Sequence, residues 1–325
     1  MKIDLSHGSG GKETADLIKI FLKQFGGGPI PRTLEDAAVL KVSGDIAFTT
    51  DSFVVSPLFF PGGDIGKLSV CGTVNDLLMM GAAPKYLTAG FIIETGAELE
   101  TCEKIARSMR AAADQAGVEI VAGDTKVVGG AGGVYISTAG VGEIIKKGIS
   151  VSGCRQGDAV ILSGGLGEHH AAVYSARMGI ENKIQSDCAP LNGIVLNLLE
   201  NGIDVRAMRD VTRGGLATVL NEMADASGCG IEIEEASLPV GGEVRGFCSI
   251  LGLDPLYMAN EGKLAAVVPA AQADEALAIT QKSPYGENAR IIGRVTAGAG
   301  VVMRTRLGGR RKVPVLYGEG LPRIC

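Results

Sequence analysis

Thr101 to Asp124 reads TCEKIARSMRAAADQAGVEIVAGD. Its first part, Thr101 to Ala116, mixes apolar and charged residues at helical spacing, and Gly117 stops it. Val118 to Ala122 follows as a short apolar run of strand type and ends in Gly123-Asp124. A helix handed directly to a strand that delivers an acidic residue is a building unit of mixed α/β proteins.

The same grammar extends outward in both directions. Lys12 to Phe25 carries Leu17, Ile18, Phe21, Leu22 and Phe25 at helical spacing and ends at Gly26-Gly27-Gly28. Asp45 to Thr50 reads as a strand delivering Asp51, Gly66 to Met80 as a helix, and Leu87 to Ile93 and Val134 to Ile145 as strands. Small and polar residues cluster from Gly148 to Gly157, and the pattern then restarts. A strand at Asp158 to Leu162 is followed by helices from about Glu168, at Leu191 to Leu199 and at Leu216 to Ala226. Further strands fall at Ile231 to Ile233, Leu264 to Val268, Ile291 to Val295 and Val301 to Arg304.

This predicts an α+β (mixed α/β) protein of two domains, residues 1–150 and 151–307, with 308–325 as a flexible tail. The tail opens with a solvated connector, Gly308-Gly309-Arg310-Arg311-Lys312, and Gly318-Glu319-Gly320 adds joints. From Val313 to Cys325 an extended chain reaches about 43–47 Å, enough to visit a site elsewhere on the molecule.

Composition narrows the function. A net charge of −5, with no basic run beyond Arg310-Arg311-Lys312, argues against nucleic acid as a partner. Val127 to Gly142, the longest uncharged stretch, is too short and too glycine-rich to span a bilayer, and the N-terminus lacks a signal-type apolar run. A cytoplasmic protein is expected. The 7 cysteines form no C-x-x-C pair, so zinc and iron–sulfur ligation have little support. Most of the first six read as core filler; Cys325 differs in being the last residue. Glycine, at 48 residues, recurs in pairs such as Gly129-Gly130, Gly164-Gly165 and Gly214-Gly215, which suit either turns or loops that wrap phosphate.

No phosphate-binding loop of the G-x-x-x-x-G-K-[ST] type is complete. The first glycine is replaced by Ser6, Pro61 and Tyr257 ahead of the three Gly-Lys pairs, and no G-x-G-x-x-G fingerprint occurs. Four aspartates end apolar segments instead: Asp36, Asp51, Asp76 and Asp124. Carboxylates are natural ligands of Mg²⁺, which offsets nucleotide phosphate charge, although helix caps and turns use aspartate equally often. His169-His170 suits helix-start packing or a phosphate contact better than joint metal ligation, because adjacent helical residues point in different directions.

The order of motifs says more than each alone. His7-Gly8-Ser9-Gly10-Gly11-Lys12, Glu35-Asp36-Ala37-Ala38-Val39, Thr50-Asp51-Ser52-Phe53, Asn75-Asp76-Leu77 and Gly123-Asp124-Thr125-Lys126 follow one another. This series resembles the ATP-binding half of the superfamily of aminoimidazole ribonucleotide synthetase, selenophosphate synthetase and the carbamoyl dehydratases (HypE). Asp210-Val211-Thr212-Arg213-Gly214-Gly215-Leu216 resembles the motif of its second half, and the tail Leu321-Pro322-Arg323-Ile324-Cys325 resembles the P-R-I-C ending of the HypE family. Glu35 and Val211 depart from the family's usual aspartate and proline.

The resemblance implies a two-domain PurM-like fold whose N-terminal, β-rich half forms a homodimer. It implies ATP and Mg²⁺, with Asp36, Asp76 and Asp124 on the metal and Lys12, His7, Asp51, Asn75, Asp210 and Arg213 around the nucleotide. It also implies that a HypF-like carbamoyltransferase loads Cys325 and that ATP drives dehydration of the carbamoyl group to a thiocyanate. Glu261 would serve as base and Lys126 would support the transferred phosphoryl group. A HypC–HypD complex would receive the cyano group on its way to [NiFe] hydrogenase. Two alternatives stay open: another ATP-using synthetase acting on a diffusible substrate, and a non-catalytic carrier of the group on Cys325.

Overall fold

The computed structural model describes residues 2–8, 12–25 and 40–315. Gly26-Gly27-Gly28, Glu35-Asp36 and the terminal motif with Cys325 lie outside them. The chain starts with a 3-10 turn, Leu5–Gly8, and helix α1, Lys12–Phe25. Strands β1 (Ile46–Phe53), β2 (Phe59–Phe60) and β3 (Gly63–Asp64) lead into helix α2 (Ile65–Met79). Then come β4 (Ala82–Glu94), α3 (Leu99–Ala116), β5 (Glu119–Val128) and β6 (Val134–Ile144). The next stretch holds β7 (Ala159–Leu162), α4 (Glu168–Met178), α5 (Asn192–Glu200), β8 (Ala207–Asp210) and α6 (Gly215–Ser227). The chain continues with β9 (Gly230–Glu234), α7 (Gly242–Leu251), β10 (Leu264–Val268), α8 (Ala273–Lys282), β11 (Arg290–Thr296), β12 (Gly300–Arg304) and β13 (Arg310–Lys312).

Two main sheets divide between Ile144 and Ala159. The first has 4 strands in the order β1-β6-β4-β5. β4 and β5 are parallel, as they must be when α3 carries the chain back between them; the other pairs are antiparallel. The second has 7 strands in the order β13-β12-β9-β11-β7-β10-β8, with only β12 and β9 parallel. The expected mixed α/β fold class is the one adopted.

Packing follows from side-chain period. α3 buries Cys102, Ile105, Ala106, Met109 and Ala113, a stripe at spacings of three and four, and stops at Gly117 in the left-handed region (φ 67°). α2 is different, with 13 of its 15 residues buried. A helix apolar on every side must be covered on every side. α2 meets β1, β4 and β6 on one flank and β8 and α5 on the other, so it is the wall shared by the two halves. β7 and β10 are buried along their whole length. Val160, Leu162, Ala265 and Val267 face the core under α6, while Ala159, Ile161, Leu264 and Ala266 face the core shared with α5 and α8. Leu220 of α6 is fully buried in the first of these. Leu220→Ala should therefore cost about 2–5 kcal/mol, read as a lower urea midpoint, and a loss under about 1 kcal/mol would contradict this packing.

The structure departs from the sequence reading in several places. β2, β3, β8, α7 and α8 were not foreseen, and β5 runs on through Gly123-Asp124 to Val128 because β4 pairs with it as far as Glu94. Pairing with a neighbour overrides local turn propensity there. α7 contains Gly246 and starts at Gly242, residues of low helix propensity. The connector Gly308 to Lys312 is partly strand, with β13 antiparallel to β12 and Val313 buried after it.

Candidate active site at the seam of the two halves

Carboxylates from both halves converge where α2 faces the second sheet. Asp51 stands on β1, Asp76 in the last turn of α2, and Asp210 ends β8. Thr49 Oγ1 donates to Asp76 Oδ2 at 2.9 Å, and Ser52 N–H donates to Asp51 Oδ1 at 2.7 Å. Burial pushes the Asp76 carboxyl above its ordinary range and the charge of Asp51 adds to this, against the pull of Arg209 and Arg213. Asp210 is buried, and burial first and the Asp76 charge second push it up to about 7. A cavity of about 250 Å³ opens beside them, lined in part by Phe48, Thr49, Leu77 and Met208.

Glu261 completes the group from the loop before β10. It keeps some accessible surface at the mouth of the seam, yet enough protein surrounds its carboxyl to raise its pKa well above normal. Burial is the main cause, followed by the charges of Asp210, Asp187 and Asp51. The Glu261 backbone is held from two sides. Asp187 Oδ1 accepts its N–H at 3.0 Å, and Asn75 Nδ2 reaches its carbonyl at 3.5 Å. Asn75 also donates to Ala189 O at 3.1 Å and accepts the Leu191 N–H at 2.9 Å. The sequence reading gave Asn75 to the nucleotide; its fully buried side chain is spent on joining the halves.

Asp51, Asp76, Asp210 and Glu261 are thus brought together, with exposed Arg213 just beyond Asp210. Asp124 and Lys126 are not part of this group. They lie on β5 at the far edge of the first sheet from β1, exposed, with Lys126 Nζ 2.8 and 2.7 Å from the two Asp124 oxygens. That bond holds the Asp124 carboxyl below its ordinary range. Lys12 opens α1. His7 is buried in the N-terminal turn with Nδ1 3.1 Å from Asp4 Oδ1. His169 and His170 are core residues: His169 Nδ1 lies 2.8 Å from Ser186 Oγ, and burial pulls both rings down to about 4. Asp36 and Cys325 fall outside the described residues.

The glycine pairs serve close packing of the protein on itself. The Gly129–Gly133 loop gives its N–H groups to the protein's own carboxylate, Glu94 Oε2, at 2.8 Å from Ala131 and 2.9 Å from Gly133. Gly164 lies against the stem of Lys263, and any side chain on Gly262 would collide with the Asp187 carbonyl oxygen. Asp187 and Lys263 were missed as site residues: Lys263 follows Glu261 by two positions without completing a phosphate-loop motif, and only the fold brings Asp187 to both.

Asp76, Asp210 and Glu261 offer hard oxygen donors whose pKa values are raised, an arrangement that a bound cation would relieve. Among the described residues no three histidine, cysteine or acidic groups stand close enough to hold a metal ion alone. Also among these residues, no helix is long and apolar enough to cross a membrane.

Comparison with known proteins agrees with this fold. The AIR synthase related protein N-terminal domain model matches residues 34–144, and the corresponding C-terminal domain model matches residues 155–306. The chain is 48% identical over 335 residues to the carbamoyl dehydratase HypE of Rhodobacter capsulatus, covering 100% of this chain and 98% of that relative. It is similar to a crystal structure of the hydrogenase maturation protein HypE in complex with ATP, with a TM-score of 0.94, 46% identity and 99% of each chain covered. It is also similar to a chain of a HypE–HypF complex, with a TM-score of 0.82, 47% identity, and 93% of this chain and 100% of that one covered.

Proposed function

The chain belongs to the HypE family of carbamoyl dehydratases within the AIR synthase related proteins, and from that premise we propose how its seam works. The enzyme uses ATP to dehydrate a carbamoyl group carried on the sulfur of its own Cys325. The S–C(=O)–NH₂ group becomes S–C≡N. The γ-phosphoryl group of ATP moves to the carbonyl oxygen, which then leaves as phosphate instead of hydroxide. Two protons leave the nitrogen, one ending on the phosphate and one in solvent. The products are ADP, phosphate and the thiocyanate.

One observation supports this reading above others: Glu261, a carboxyl with a strongly raised pKa, stands among Asp51, Asp76 and Asp210 at the seam. A carboxylate whose ionised form is destabilised is a stronger base than an ordinary one, which suits removal of an amide proton. Mg²⁺ held by Asp76 and Asp51, with Asp36 from outside the described residues, would offset the charge of the β- and γ-phosphates. Arg213 adds positive charge at the same edge. Asp124 and Lys126, on the other edge of the sheet, have no such role within one chain.

The test is intact-mass measurement of the chain after loading by a HypF-like carbamoyltransferase with carbamoyl phosphate. An adduct of roughly 43 Da should give way to one of roughly 25 Da only when ATP and Mg²⁺ are supplied, as covalent loading followed by dehydration requires. Persistence of the heavier adduct in the presence of ATP would refute the proposal. The cyano group then passes to a HypC–HypD complex in the cytoplasm.

The partner for the first sheet is a second copy of this chain. Phe48 is 68% exposed on β1, as is Ile46 on the same strand, and Ile92 on β4 and Val128 on β5 are exposed farther across the sheet, apolar surface that water does not favour. Phe48→Asp should convert a dimer to a monomer in sedimentation velocity runs, whereas a wild-type chain that is already monomeric would rule the dimer out.

A further inference from the structure

Asp187 has no place in the reaction above, yet it is among the most enclosed charges in the molecule, with a side chain 2% exposed. Its Oδ1 accepts the Glu261 N–H. Its Oδ2 is buried with no hydrogen-bond partner among the described residues and faces Lys263 Nζ at 3.6 Å. Lys263 is itself buried and also faces Glu168 Oε2 at 3.8 Å.

A buried carboxylate is a costly way to cap one backbone N–H, because desolvating the charge costs more than a neutral acceptor would. Here it also stands near other acids and works against the ionisation of Glu261. Stability alone gives no reason for it. Its hydrogen bond does give one: it holds the Glu261 N–H while Asn75 reaches the Glu261 carbonyl, and Gly262 packs so close to the Asp187 main chain that a side chain there would collide with it.

We propose that Asp187 is a positioning residue, whose hydrogen bond to the Glu261 N–H aims the Glu261 carboxyl at the reacting nitrogen while Lys263 holds Asp187 in place. The assignment rests on Glu261 acting as the proton acceptor. Displacing a reacting group by about 1 Å can slow a positioned reaction by about a hundredfold, so a loosened Glu261 loop has a kinetic signature.

The experiment follows single-turnover conversion of the carbamoyl adduct to the cyano adduct in full-length, pre-loaded protein across ATP concentrations. Asp187→Ala should slow the step about tenfold or more at saturating ATP, with half-saturation by ATP unchanged. Asp187→Asn keeps an oxygen that can accept the Glu261 N–H and should stay within about threefold of wild type. Should the alanine variant fail to fold, Asp187→Ser, whose hydroxyl stops short of that N–H, replaces it with the same expected loss. An alanine variant as fast as wild type overturns the assignment. So does an asparagine variant as slow as alanine, or a loss that appears as weaker ATP binding alone. Wild-type protein that never forms the cyano adduct overturns the proposed function itself, and this assignment with it.

Discussion

A chain carrying Cys325→Ala is expected to show neither the carbamoyl nor the cyano adduct after incubation with the carbamoyltransferase, carbamoyl phosphate, ATP and Mg²⁺, while still binding ATP like wild type. The reason lies as much in the other six cysteines as in the last one. All six are buried. Burial pushes the Cys102 and Cys248 thiols up to about 11 and also raises Cys154 and Cys229, while Cys188 is raised well above normal beside Cys71. The thiolate is the acceptor in such a transfer and must be reachable, so enclosed thiols do not compete, least of all the five that are also hard to ionise. An ordinary terminal cysteine, with a pKa of about 8.5, does supply thiolate at neutral pH. An adduct that survives Cys325→Ala would move the chemistry to another residue. ATP turnover that survives it undiminished would favour a diffusible substrate, and loading without ATP-driven loss of water would favour a carrier.

How much of this was legible in the sequence depended on how local its cause was. α1 and β10 have the bounds that periodicity gave them, and α3 stops at the predicted glycine, because spacing of apolar residues and a left-handed cap are written within a few positions. Asp51 and Asp76 could be picked out because each ends an apolar segment, and Asp210 because its motif resembles that of the family's second half; the fold brings the three together. Asp124 follows the same rule and does not join them, since β5 continues past it and lies at the opposite edge from β1. Nothing in the local sequence encodes strand order. The roles of Asn75 and Asp187 were hidden for a related reason. Their partners are more than seventy residues away, and a buried polar side chain acquires its meaning from the groups it must satisfy.

Glu261→Gln should load with carbamoyl as well as wild type and then stop, with dehydration slowed by about 10²–10⁴-fold, the usual worth of a positioned proton acceptor. Glutamine keeps the shape and loses the base, so ATP affinity should barely change. In the wild type the reaction needs Glu261 ionised, and burial with Asp210, Asp187 and Asp51 nearby raises its pKa. The rate should therefore climb with pH through a midpoint above the ordinary carboxyl range, and a midpoint near that of a free carboxyl would remove Glu261 from the role. Stability should run the other way. A carboxyl whose folded pKa is raised favours the folded state in its protonated form, and that contribution is lost as pH rises through the folded pKa. For Asp210 the window lies between its ordinary value of 3.8 and about 7. The ligand-free wild type should weaken across it, and Glu261→Gln and Asp210→Asn should each give a higher urea midpoint than wild type at pH 8, a gain that shrinks by pH 4. A variant that is sturdier without ATP and yet unable to dehydrate its own tail would show that the acids at the seam are kept for chemistry at the expense of stability.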